Sequence, residues 1–306
     1  MHTPETVHPY RGRFAPSPTG PLHFGSLVAA VGSYLDARHQ GGEWLVRIED
    51  LDPPREIPGA ADTILRTLDR YALHWDGAVF YQSRRMSRYE AALENLAAKG
   101  RLFGCACTRR EIAGSGRSGG AGAVYPGTCR NALPPGRTAR ALRVRVDAAR
   151  VGFRDRLQGG SRQHLGREVG DFIVRRADRL AAYQLAVVVD DAEQNITDIV
   201  RGADLLDSTP RQIFLQRLLG LTTPGYLHLP VAASRAGFKL GKRTRARDIG
   251  ADDPASVLCD VLRFLNQTLP ESAADACLEE LLAWAIDRWD STAITAAPAL
   301  GAPGGY

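Results

Sequence analysis

The chain reads as an α/β protein built on a doubly wound parallel sheet, and three observations predict it. A polar, glycine-containing loop, Arg13-Phe14-Ala15-Pro16-Ser17-Pro18-Thr19-Gly20-Pro21-Leu22-His23-Phe24-Gly25-Ser26, runs straight into apolar residues at helical spacing, Leu27, Val28, Val31, Tyr34 and Leu35. The stretch from Trp44 to Asp50 then alternates loosely and is rich in strand formers. Strand, loop, helix and strand form the βαβ opening of such a sheet. Thirdly, residues 101–178 turn to cysteines, glycines and short strands, as a β-rich insertion in a parallel-sheet domain would.

The elements follow in order. The first helix is expected to begin between His23 and Ser26, and the strand 44–50 to end in the carboxylates Glu49, Asp50 and Asp52. Helices are expected at 60–73 and 85–99, the second opened near Ser87 by a capping box with Glu90 and closed by Gly100. These make residues 10–100 the first half of the parallel-sheet domain. In the insertion, the Gly114–Gly122 stretch predicts a mobile loop over 101–137, with strands at Leu142–Val146 and Val169–Val174. A second half, 179–250, opens with the apolar run Leu185–Val189. A buried helix would show a similar run, and valine enrichment decides for a strand, followed by another at Ile196–Val200. Helices are expected around Val257–Leu265 and Leu278–Ile286, within 251–290, with Cys259 and Cys277 on their apolar faces. The Ala, Pro and Gly content of 291–306 predicts a disordered tail.

Composition narrows the class of protein. With 306 residues, 44% hydrophobic and 24% charged, the chain has the make-up of a globular protein with a substantial core. No apolar run approaches the ~18 residues of a membrane span. The opening MHTPETVHPY lacks the basic start and apolar stretch of a secretory signal, so a cytoplasmic protein without membrane contact is expected. A net charge of +5, carried mostly by arginine, suits a polyanion partner such as RNA.

The loop before the first helix is suited to anions. The first N–H groups of a helix lack internal partners and the macrodipole adds partial positive charge, so phosphate is the natural guest. Gly25 allows close backbone approach, His23 can donate to a phosphate oxygen or serve as a cap, and Arg13 offers a fork for a carboxylate. A second chemical cluster is Cys105-Ala106-Cys107 with Tyr125 and Cys129. On spacing alone, three cysteines fit either a zinc site or reduced structural thiols.

The opening loop resembles the first signature of class I aminoacyl-tRNA synthetases in its glutamyl and glutaminyl form, with His23-Phe24-Gly25-Ser26 in place of His-Ile-Gly-His. Phe238-Lys239-Leu240-Gly241-Lys242-Arg243 resembles the Lys-Met-Ser-Lys-Ser signature, with Gly241 and Arg243 at its serine positions. Tyr183-Gln184-Leu185-Ala186 and Arg201-Gly202-Ala203-Asp204-Leu205-Leu206 also match the family's patterns, so the resemblance runs over roughly 11–249. It implies a Rossmann-like catalytic domain that uses ATP with Mg²⁺. It further implies that Arg13, Phe14, Ala15, Pro16, Ser17, Glu49, Tyr183 and Arg201 surround glutamate, while His23, Gly25, Ser26 and Lys242, with Lys239 second, serve ATP and catalysis. It also implies a structural Zn²⁺ on Cys105, Cys107, Tyr125 and Cys129.

Only ~55 residues follow the second signature, too few for an anticodon-binding domain of ~100 residues. The chain therefore resembles the short relatives of glutamyl-tRNA synthetase, which attach glutamate to the queuosine base at the wobble position of tRNA(Asp). A monomer is the expected state. The rival readings are a truncated synthetase that charges a tRNA 3′ end and a synthetase-like RNA-binding protein without activity.

Overall fold

In the computed structural model, residues 9–116, 118–119, 122–234, 240, 248–273, 275–304 and 306 are described. Strand β1 (Arg11–Phe14) passes through the proline-rich loop into α1 (Phe24–His39), and β2 (Glu43–Ile48) returns parallel to β1, pairing Arg11 with Glu43 through Phe14 with Val46. Helix α2 (Ala60–Arg70) leads to the short β3 (Phe80–Tyr81), parallel to β2, and α3 (Met86–Ala98) follows.

The middle of the chain is antiparallel. It comprises β4 (Leu102–Cys105), α4 (Arg109–Ala113), β5 (Ser118–Gly119), β6 (Gly122–Ala123), β7 (Ala141–Val144), β8 (Arg150–Asp155), β9 (Gly159–His164), α5 (Leu165–Glu168) and β10 (Ile173–Arg175). β10, β7 and β4 form one sheet in that order, and β8 pairs with β9 as a hairpin.

Parallel structure resumes after α6 (Tyr183–Glu193), with β11 (Asp198–Gly202), α7 (Thr209–Leu219) and β12 (Gly225–Leu229), the two strands pairing in parallel. β11 lies beside β1, where the Thr197 N–H donates to the Arg11 carbonyl at 3.0 Å and the Arg11 N–H to Thr197 Oγ1 at 2.8 Å. The strands therefore stand in the order β3, β2, β1, β11, β12. β13 (Val231–Ala233), α8 (Pro254–Phe264), α9 (Leu278–Asp287) and β14 (Ala299–Gly301) complete the chain.

Alternation along these strands feeds two cores. Val200, Leu227 and Leu229 pack with α1, α8 and α9, whereas Ile199 and Tyr226 pack with α3, α6 and α7. Helices on both faces are what doubly wound topology requires. Gly32 sets the closeness of one layer, since a Cβ there would stand 2.5 Å from Leu229 Cδ1. A larger residue there would force the buried Leu229 side chain to move.

Several sequence expectations are corrected. Leu185–Val189 is not a strand but the centre of α6, and every residue from Leu185 to Asp191 is buried, so burial on all sides overrides β-branched propensity. Ser87 does not cap α3; the helix starts at Met86 with Arg85 before it and no side-chain cap. The span 101–137 holds β4, α4 and paired β5 and β6, with α4 opened by a Thr108–Glu111 capping box. Residues 291–306 are not a loose tail: β14 pairs in parallel with β13, and the Tyr306 ring stacks on Phe24 at 4.2 Å. Backbone hydrogen bonds, the buried Ile294 side chain and one aromatic ring order a segment whose Ala, Pro and Gly content predicts disorder. Cys259 is buried, but Cys277 is exposed and caps α9 with Glu280.

A buried ion cluster joins the two halves. Arg47 on β2 is fully buried and donates from Nη2 to Asp191 Oδ1 at 2.8 Å and from Nη1 to Gln194 Oε1 at 2.6 Å. Arg13 at the end of β1 reaches the same Asp191 oxygen from Nε at 3.2 Å. Burial alone would raise the Asp191 carboxyl, but Arg47 and Arg13 outweigh it and hold it below the ordinary range. Removing the carboxylate strands two cations, so Asp191→Ala should lower stability by about 3–5 kcal/mol in urea unfolding. A loss below about 1 kcal/mol would show that the cluster is not needed for folding.

Candidate active site

The site gathers where the parallel strands end, the usual place for ligands in open α/β sheets. Glu49 follows β2 directly, and its N–H donates to the Pro16 carbonyl at 2.9 Å, holding the loop after β1 beside it. Ser17, Glu49, Leu51, Gln82, Ala182 and Tyr183 line a cleft of about 630 Å³. Arg13 and Arg201 do not line it and are buried, 3% and 5% exposed. Phe14 turns its ring into the core, stacked 6.2 Å from Trp44, so this ring is packing and not a ligand.

Glu49 has a side chain only 10% exposed, with Oε1 3.5 Å from Arg47 Nη2. Burial pushes its carboxyl up to about 6, against the pull of Arg47 and Arg13. Tyr183 begins α6; burial raises its phenol, and Arg201, Glu49 and Arg13 all act on it electrostatically. Arg201 on β11 donates from Nε to His228 Nε2 at 3.0 Å, and from Nη2 to Thr209 Oγ1 and Gln212 Oε1, both at 2.8 Å. Its Nη1 is buried without a hydrogen-bond partner among the described residues. One carboxylate and one phenol thus line the cleft, with two buried cationic forks within electrostatic reach of the phenol.

His23 is the N-cap of α1, accepting the Ser26 N–H on Nδ1 at 3.2 Å. Capping and phosphate contact are compatible, because an accepting Nδ1 puts the ring proton on Nε2. Gly25 serves this ring directly: a Cβ there would sit 3.3 Å from His23 Cε1. The close neighbour of Gly25 is therefore the histidine itself. Lys239 and Lys242 lie outside the described residues. What flanks them is near: the Leu240 N–H donates to the Ala232 carbonyl at 2.7 Å, and Asp248 forms a bridge with His23.

Cys105, Cys107 and Cys129 hold three thiol sulfurs within 4.8 Å of one another. Cys107 and Cys129 are 3.5 Å apart, and Tyr125 Oη lies 3.7 Å from Cys105 Sγ while accepting the Cys129 N–H at 2.7 Å. Tetrahedral Zn–S bonds of ~2.3 Å place sulfurs ~3.8 Å apart, so the set fits a zinc ion. Burial and the neighbouring thiols push Cys107 up to about 11, a conflict that a divalent cation would relieve. Gly170, at φ 72°, lets its backbone pass Tyr125, whose carbonyl oxygen a Cβ would meet at 2.8 Å.

Sequence reading missed Arg47, Gln82, Asp190, Asp191 and Gln194. The available signal was a charge inside an apolar strand and two aspartates closing an apolar run. Asp190 takes Gln82 Nε2 and Tyr89 Oη, each at 2.8 Å, and Arg85 Nε at 2.7 Å.

Glu49 sets a pH dependence if its carboxylate holds an ammonium group. Its folded value of about 6 exceeds the ordinary 4.5, so its contribution to stability is full below 4.5 and lost as pH rises through about 6. Binding has the opposite sign, because the cation needs the ionised form. The kcat/KM for glutamate should fall as pH drops through about 6, and Glu49→Gln should flatten that limb. A wild-type profile flat from pH 5 to 7 would exclude this role.

The chain matches the family of class I tRNA synthetases (E and Q), catalytic domain, over residues 9–265. It is 61% identical over 288 residues to the glutamyl-Q tRNA(Asp) synthetase of Dechloromonas aromatica, covering 94% of this chain and 96% of that protein. With the glutamyl-Q tRNA(Asp) synthetase of Chromobacterium violaceum the identity is 57% over 289 residues, covering 94% and 96%. A glutamate tRNA ligase from Elizabethkingia meningosepticum, crystallised with its amino acid, shares the fold with a TM-score of 0.77 at 23% identity, covering 97% of this chain and 67% of that one. The chain belongs to the class I glutamyl and glutaminyl tRNA synthetase family.

Proposed function

We propose that the protein activates L-glutamate with ATP and transfers it to the queuosine base at the wobble position of tRNA(Asp). The electrostatic coupling of Tyr183, at the start of α6, to Glu49, Arg13 and Arg201 near the strand ends carries the reading, since glutamate bears two carboxylates and one ammonium. Identity of 61% to a glutamyl-Q tRNA(Asp) synthetase over 96% of its length supports the acceptor. Glu49 pairs with the α-ammonium, Arg201 with a carboxylate, and the Arg13–Ser17 loop closes the amino-acid side of the cleft.

ATP enters as its Mg²⁺ complex, with its phosphates at the N-terminus of α1 beside Gly25 and Ser26. A glutamate carboxylate oxygen attacks the α-phosphorus, the bond to the bridging oxygen breaks, and pyrophosphate leaves. His23 donates from Nε2 to the phosphates, and Lys242, with Lys239 second, neutralises the leaving charge. A cyclopentene hydroxyl of queuosine then attacks the glutamyl carbonyl, gives up its proton, and releases AMP.

A zinc ion would be held by Cys105, Cys107 and Cys129 with Tyr125 as fourth ligand. Bound there, it would cross-link the middle segment and would supply no reaction step.

Labelled glutamate, ATP and tRNA(Asp) with or without queuosine test the acceptor. Label should enter only the queuosine-bearing RNA, and charging of unmodified tRNA(Glu) alone would overturn the reading. Cys105→Ser should lose zinc and expose residues 101–137 to protease; unchanged zinc by metal analysis would remove the assignment.

A further inference from the structure

His228 on β12 has no solvent exposure, and its imidazole joins Asp155, at the end of β8, to Arg201 on β11. Arginine nitrogens only donate, so His228 Nε2, 3.0 Å from Arg201 Nε, must accept. The ring proton therefore sits on Nδ1, 2.6 Å from Asp155 Oδ2. Asp155 is itself held, because its Oδ1 accepts the N–H groups of Leu157 at 3.0 Å, Gln158 at 2.8 Å and His228 at 3.2 Å. Burial, helped by Arg201, keeps the imidazole neutral against the pull of Asp155.

The guanidinium is planar, so fixing two of its nitrogens fixes the third. His228 takes Nε; Thr209 and Gln212 take Nη2. Nη1 is left buried and unpaired among the described residues. The Tyr226 ring backs the arrangement, 5.6 Å from the guanidinium carbon and nearly parallel to the His228 ring, at 10°.

Resting on the reading of Arg201 as a glutamate ligand, we propose that Asp155 and His228 are positioning residues that fix the imidazole tautomer so that Arg201 presents Nη1 to a substrate carboxylate. The pair touches no substrate. Its effect is on the direction of one donor, the kind of placement that decides whether a bound amino acid is held in a reactive pose.

ATP–pyrophosphate exchange with purified full-length protein tests this, reading KM for glutamate and for ATP separately. Arg201→Ala should cost about 100-fold or more in kcat/KM for glutamate. His228→Leu should raise glutamate KM by about tenfold with ATP KM unchanged, and His228→Gln, whose amide oxygen can accept from Arg201, should recover most of that loss. Asp155→Asn should resemble His228→Leu, because its amide N–H favours the other tautomer and sets an imidazole N–H against the Arg201 N–H. Unchanged glutamate KM in Arg201→Ala would remove the substrate reading and the proposal together. A raised KM in Arg201→Ala with normal values in His228→Leu and Asp155→Asn would overturn the positioning role alone, as would variants that lose only thermal stability. Nitrogen-15 NMR of the wild-type imidazole decides independently of folding in the variants: a protonated Nδ1 supports the proposal, and a protonated Nε2 overturns it.

Discussion

Arg47 is the constraint around which the site is arranged. A guanidinium cannot shed its charge, so a fully buried one must be matched on the spot. Asp191, Gln194 and Glu49 surround it, and because Asp191 also takes Arg13, one carboxylate ties β1 and β2 to α6. The adjacent Asp190 fastens Gln82, Arg85 and Tyr89 to the same helix. Apolar residues could hold these elements as firmly. They could not fix Glu49 two residues from a buried cation at the mouth of a cleft.

The chemistry inherits that placement. Glu49 is deprived of water yet kept near two arginines, which leaves its carboxyl poised near pH 6 and suited to an ammonium partner. His23 acts in the same economical way on the other side, capping α1 through one ring nitrogen while the second carries the proton. Residues flanking the second signature meet this helix end through Ala232 and Asp248, so the two signatures, remote in the chain, border one region.

Local chemistry was well marked in the sequence. The start of α1, the strand before Glu49, and the thiol cluster at Cys105, Cys107 and Cys129 could all be read from residue type and spacing. The failures share a physical cause. Leu185–Val189 has strand propensity but is enclosed on all sides, and only its neighbours make it helical. Residues 299–301 have little to bury, and they are ordered by backbone pairing with β13, which composition does not report. Ser87 and Glu90 form a capping pattern, but the chain enters α3 one residue earlier from a 3₁₀ turn.

The sequence by itself determined the local parts: the anion-suited loop, the first helix, and the ordered motifs that mark the family. Such motifs encode backbone conformation and reactive groups within a few residues. Tertiary structure alone decided the partners: Arg47 with Asp191 across 144 positions, Arg201 with His228 across 27, and His228 with Asp155 across 73. Ion pairs and tautomers depend on distances of a few ångströms and on exclusion of water. Both come into being only when the strands assemble.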